Sequence, residues 1–247
     1  GSAADLESLG IPVLDDLPGV GSTLQDQPVV RLQWAATPTL VDALEEFRRE
    51  QGFLPEEQCV AKVASPAGTH DGPYDMHVFP WIEPDPVHGW KCVIPAGLLR
   101  PTSYGGVHLA SRNVEDAPII NHRYLATDDD LERLSSMVAW VQDLAACSSL
   151  APMLGESLDV IPLGQRDHLF EWVRSHHTHY WHPTGGAALG EEFDQLAVCD
   201  EFARVRGVEG LVVADASLFP RAPRATTAFP VTVIGEHVAS LILESVA

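Results

Sequence analysis

Residues 205–242 read VRGVEGLVVADASLFPRAPRATTAFPVTVIGEHVASLI, and the fold turns on how this stretch is read. The apolar run Leu211-Val212-Val213-Ala214 closes on Asp215. A short apolar run ending on an acid predicts a buried parallel strand that delivers a polar side chain at its carboxyl end. A carboxylate there commonly accepts sugar hydroxyls, or else caps a turn. Thr226 and Thr227 then precede a helix expected to start near Pro230. Proline suits a first helical turn because its missing N–H would have no partner there. The open N–H groups and positive end of such a helix stabilise negative charge.

Upstream lies HPTGGAALG, residues 182–190. Its glycines allow backbone to approach a flat ligand closely. His182, at the mouth of this segment, is a candidate general acid/base because imidazole titrates near neutrality. Taken alone, the pattern fits a satisfied buried histidine as well. Five of the eleven histidines fall between His168 and His182. They suggest a metal site only superficially, since no carboxylate or cysteine stands at ligand spacing and no HExxH occurs. His176, His177 and His179 are read instead as a solvated or partly buried helix exit.

Further out, three aspartates open a helix over DDDLERLSSMVAWVQDLAA, residues 128–146. Leu131, Leu134, Val138 and Val141 recur at helical spacing. A second helix is expected over 167–176, and a helical stretch over VDALEEFRRE, residues 41–50. YDMHVFPWI (74–82), WKCVIPAGLL (90–99) and GGVHLASR (105–112) read as strands, cut by Pro and Gly. Residues 1–28 open with a short helical piece, then a Pro/Gly loop. The class is mixed α/β (α+β). Trp34, Tyr74, Phe79, Trp81 and Trp90 could line an aromatic pocket, but core packing explains them equally well.

The 247 residues are 45% hydrophobic, enough for a substantial core. With 15 basic and 35 acidic residues the net charge is −20, which opposes binding to nucleic acid or anionic membrane. No apolar run approaches the roughly 18–20 residues that cross a bilayer. Cys59, Cys92, Cys147 and Cys199 lie far apart, which argues against a disulfide framework and fits a reducing, cytoplasmic setting.

Several passages together resemble the glucose–methanol–choline (GMC) family of FAD oxidoreductases. GIPVLDDLPGVGSTLQDQP (10–28) is similar to the family's LPGVGxNLQDHP loop. Residues 100–134, RPTSYGGVHLASRNVEDAPIINHRYLATDDDLERL, resemble its substrate-domain sheet and following helix. HPTGGAALG resembles HPxGTxxMG, and residues 205–242 resemble VxGxxxLRVVDASxxPxxxxxNTNAPTxxIAExxAxxI. The motifs follow the family's order through almost the whole chain.

The resemblance implies a C-terminal half. Gly1 falls on the last glycine of a signature closing the family's first half, and no G-x-G-x-x-G occurs here. It therefore implies a processed or partial chain, with an N-terminal FAD-binding half as partner. Residues 1–28 and 191–247 would complete a Rossmann-like FAD-binding domain, and 29–190 would form the substrate domain.

By position, His182 matches the family's active-site histidine, which helps remove the alcohol proton as hydride passes to flavin N5. Trp181 falls where an aromatic touches the isoalloxazine. Asp215 and Ala216 match contacts to the ribityl and pyrophosphate region; Thr227, Ala228 and Phe229 match the backbone against the pyrimidine edge. Thr226 stands at the second catalytic position, where the family has His or Asn. Thr donates one hydrogen bond but is no base near neutral pH. Gln27 replaces the usual His, Thr23 the usual Asn, Gly186 the usual Thr and Leu189 the usual Met. The implied activity is FAD-dependent oxidation of the CH–OH group of a small organic substrate. The alternatives are altered flavin chemistry, as in the family's hydroxynitrile lyases and photodecarboxylases, or a non-catalytic subunit.

Overall fold

A computed structural model describes residues 1–54, 59–69 and 72–246. The elements in chain order begin with α1 (Ala3–Ser8), β1 (Pro28–Ala36), α2 (Pro38–Gln51), β2 (Ala61–Val63) and β3 (Met76–Val78). Next come β4 (Trp81–Asp85), β5 (Gly89–Leu98), β6 (Gly106–His108) and β7 (Ile119–Asn121). The chain continues through α3 (Asp128–Ala145), β8 (Leu154–Ser157), α4 (Arg166–His176), β9 (His177–His179) and α5 (Ala228–Val246). The mixed α/β class expected from the sequence is the one found. No described helix is long and apolar enough to cross a membrane.

The chain divides into two compact units. One comprises 28–99 and 127–179; the other joins 1–27, 100–126 and 180–247. The expected partition at 1–28, 29–190 and 191–247 is drawn differently: 100–126 and 180–190 cluster with the terminal segments.

The unit of 28–99 and 127–179 is built on an antiparallel sheet in the order β2-β3-β5-β1-β8, with β4 also on β5 and β9 also on β1. In β1, Val30, Leu32 and Trp34 are buried on one face of the pleat. Against this sheet packs α3, which buries Leu131, Leu134, Met137, Val138 and Val141. Thr127 caps α3 by accepting from Asp130 N–H, and the three leading aspartates suit the positive helix end. Arg133 of α3 is buried with Asp75 and Asp130, at 3.1 and 2.7 Å. The five aromatics do not share one wall: Trp34 pairs with Cys92 and Trp81 with Val93, so they lie on opposite faces.

In the unit joining the termini, Val198, Cys199, Ala203, Val205, Leu218 and Val238 form a buried cluster. The parallel strand expected at Leu211–Asp215 is not formed. Val212 makes one antiparallel bridge to Arg204, and Ala216–Leu218 follows as a 3-10 turn. An apolar run becomes a strand only beside a neighbour that pairs its backbone, and no parallel partner runs beside this one among the described residues. The last helix begins two residues before Pro230, at Ala228, so the proline still falls in the first turn.

Candidate functional site

Four segments distant in sequence converge in the unit joining the termini: 21–27, 182–189, 215–218 and 223–225. Gln25 and Thr184 exchange both backbone hydrogen bonds at 2.8 Å. Gly185, Ala187 and Leu189 donate to the carbonyls of Ala216, Ser217 and Leu218. Two of the segments singled out in the sequence therefore run side by side. The glycines serve that packing first. A Cβ on Gly185 would stand 2.0 Å from the Thr23 carbonyl oxygen, at a φ of +80° that favours glycine. Thr23 uses its hydroxyl to accept from Gly186 N–H at 2.9 Å.

His182 sits half-buried where 182–189 meets 25–27. Its backbone N–H donates to Asp26 Oδ1 at 2.9 Å, and its Nδ1 lies 2.7 Å from Gln27 Oε1. Nε2 makes no hydrogen bond among the described residues. The Tyr180 ring is 4.3 Å from the imidazole, centroid to centroid. Burial pulls the His182 pKa below the usual 6.5, while the Asp26 charge pushes the other way. Burial thus favours the neutral ring, the form a base needs. Trp181, just before it, is 73% exposed with φ at +63°, a region bulky residues rarely adopt. That backbone is held on both sides: Tyr180 N–H donates to the Gln27 carbonyl and His182 N–H to Asp26.

Asp26 is the buried anchor. Its Oδ1 accepts from Gln27 N–H at 2.7 Å and from His182 N–H; its Oδ2 accepts from the Tyr124 hydroxyl at 2.6 Å. Burial first, then the bond to Asp26 and its charge, push the Tyr124 phenol far above its ordinary pKa, so it stays a donor. Gln27 is wholly buried and donates through Nε2 to the carbonyls of Pro223 at 2.8 Å and Ala225 at 3.2 Å. It thus links His182 to the loop carrying Thr226. Thr226 itself is exposed and makes no hydrogen bond to His182. Sequence reading noted Gln27 only as a replacement and passed over Asp26 and Tyr124. The signal was an acid flanked by two amides in LQDQP.

The other candidate positions suit an FAD by donor chemistry. Asp215 accepts from Ser217 N–H and hydroxyl through Oδ1, which makes it a turn cap. Its Oδ2 is exposed without a partner among the described residues, a fitting acceptor for a ribityl hydroxyl. Ala216 is half-buried beside it. Thr227 accepts from Val231 N–H, so the N–H groups of Ala228 and Phe229 open α5 without intrahelical acceptors. They suit a polar, electron-rich edge. Phe229, 78% exposed, and Trp181 offer apolar faces. No cluster able to hold a metal occurs among the described residues.

Comparison with known proteins gives the family. The family model described as GMC oxidoreductase matches residues 101–235. Human mitochondrial choline dehydrogenase is 31% identical over 98% of this chain and 44% of its own length. Choline oxidase of Arthrobacter globiformis is 32% identical over the same shares. Among solved structures, formate oxidase superposes with a TM-score of 0.84 at 22% identity, covering 99% of this chain and 51% of its own. Pyridoxine 4-oxidase from Mesorbium loti gives 0.82 at 22% identity, covering 97% and 47%. The chain thus spans about half the length of the relatives it matches. More than half of its residues fall within the family match, and the two choline-named relatives are 31% and 32% identical: the chain belongs to the GMC oxidoreductases.

Proposed function

We propose that this chain forms the substrate-side portion of an FAD-dependent oxidoreductase that oxidises the CH–OH group of a small organic substrate. His182 takes the hydroxyl proton. The observation carrying this is the half-buried imidazole held by Asp26 and Gln27, with Nε2 making no hydrogen bond among the described residues. Asp215, Ala216, Thr227, Ala228, Phe229 and Trp181 would hold the FAD. When bound, FAD supplies the two-electron acceptor that no side chain here can provide. Removing the hydroxyl proton concentrates negative charge on the substrate oxygen, so a well-placed base contributes roughly 10²–10⁴-fold.

The FAD pyrophosphate is held by a partner N-terminal half, as a separate chain or a linked segment. The 247 residues contain no G-x-G-x-x-G to receive it. Exposed Phe229, Val233, Ile242 and Leu243 on α5 support such a partner. Relatives named for choline make choline the first substrate to test. A second reading, flavin chemistry other than alcohol oxidation, is favoured by Thr226, which offers no base opposite His182. Anaerobic addition of choline and simple primary alcohols to the FAD-loaded enzyme decides between them. Loss of the oxidised-flavin absorbance is expected; a flavin that stays oxidised with every alcohol would favour the second reading.

A further inference from the structure

The buried amide of Gln27 has an orientation that can be deduced. Its side chain contacts the carbonyls of Pro223 and Ala225 and Nδ1 of His182. Carbonyl oxygens only accept, so the end facing them at 2.8 and 3.2 Å must be the NH₂. Two carbonyls at one end settle the choice of amide rotamer that a single contact would leave open. The oxygen end then faces His182 Nδ1 at 2.7 Å.

An amide oxygen cannot donate, so Nδ1 must carry the hydrogen between them. The other neutral tautomer would set two lone pairs against each other at 2.7 Å in a buried site. We propose that Gln27 is a positioning residue that fixes His182 as the Nδ1–H tautomer, so that the substrate proton is taken at Nε2. The inference rests on the reading of His182 as the base. In the step, the substrate O–H bond breaks, its electron pair stays on oxygen as an alkoxide, and the proton forms a bond to Nε2. His182 becomes an imidazolium, and Gln27 accepts from Nδ1–H before and after. No rearrangement of the amide accompanies proton uptake. The lock also ties His182 to the 223–226 loop, because the carbonyls that orient Gln27 belong to that loop.

The test is ¹⁵N NMR of the FAD-loaded enzyme with labelled histidine, above the His182 pKa, assigned by the loss of signals in His182→Gln. Expected is a pyrrole-like Nδ1 and a pyridine-like Nε2. A pyridine-like Nδ1, or two averaged shifts, overturns the proposal. Gln27→Met should give averaged shifts and lower kcat on the order of 10²-fold, within the range a general base supplies, with KM little changed. Gln27→Glu still offers Nδ1 an acceptor but sets its second oxygen against the Pro223 and Ala225 carbonyls, so it should keep the locked tautomer, with the acid limb of the pH profile moved up, at a cost in stability. A locked tautomer in Gln27→Met would refute the role of Gln27. Turnover unaffected by His182→Gln, with the tautomer still locked in wild type, would instead refute His182 as the base.

Discussion

Removing the Asp26 carboxylate should loosen the segment that carries His182. Asp26 is 5% exposed and serves three donors: the N–H groups of Gln27 and His182 and the hydroxyl of Tyr124. Each buried donor left without an acceptor costs about 1–3 kcal/mol. Asp26→Ala removes the acceptor from all three, and because two of the bonds are only part-buried and open to water, a loss of roughly 1–3 kcal/mol is expected. Asp26→Asn keeps an oxygen for the two backbone donors and turns its NH₂ toward the Tyr124 oxygen. It loses the charge assistance, about 1–2 kcal/mol. The charge also acts on His182, whose pKa Asp26 raises against the effect of burial. Neutralising it must lower that pKa further. A base works only unprotonated, so the acid limb of kcat/KM should move to lower pH in Asp26→Asn than in wild type. Urea denaturation and a pH–rate profile of the FAD-loaded enzyme read both effects. Asp26→Ala within about 0.5 kcal/mol of wild type, the range of ordinary surface substitutions, would refute the anchor. An acid limb moved upward in Asp26→Asn would refute the electrostatic argument.

Arg133→Met should strand the buried carboxylates of Asp75 and Asp130 and destabilise the unit of 28–99 and 127–179 by roughly 3–5 kcal/mol, measured by denaturation. Thr226→Val keeps the side-chain volume and removes the hydroxyl; because Thr226 makes no hydrogen bond to His182, flavin reduction should slow by less than about tenfold, as read by anaerobic stopped flow.

What the sequence made legible was local. Helix α3 follows from three acids and apolar residues at helical spacing, and it ends one residue before the expected position; its capping threonine, Thr127, emerges only in the structure. Helix α4 begins one residue before Asp167. Leu211–Asp215 misled because a strand is a property of a pair, and its ladder is not supplied by the described residues. The site was half legible. His182 and Asp215 stood out by residue type beside glycines and an apolar run. Asp26 and Gln27 did not, because their partners Tyr124 and His182 lie 98 and 155 residues away. Contacts of that separation leave no spacing signal. The glycines of HPTGGAALG suggest room for a ligand, whereas Gly185 accommodates the Thr23 carbonyl.

The central claim is that His182 removes the proton in an FAD-dependent oxidation. The direct measurement is the anaerobic rate of flavin reduction by an alcohol substrate in wild type and His182→Ala, with FAD content measured on the same samples. The account predicts a rate lower by roughly 10²–10⁴-fold with FAD retained. An unchanged rate in a variant still fully loaded with FAD would contradict it.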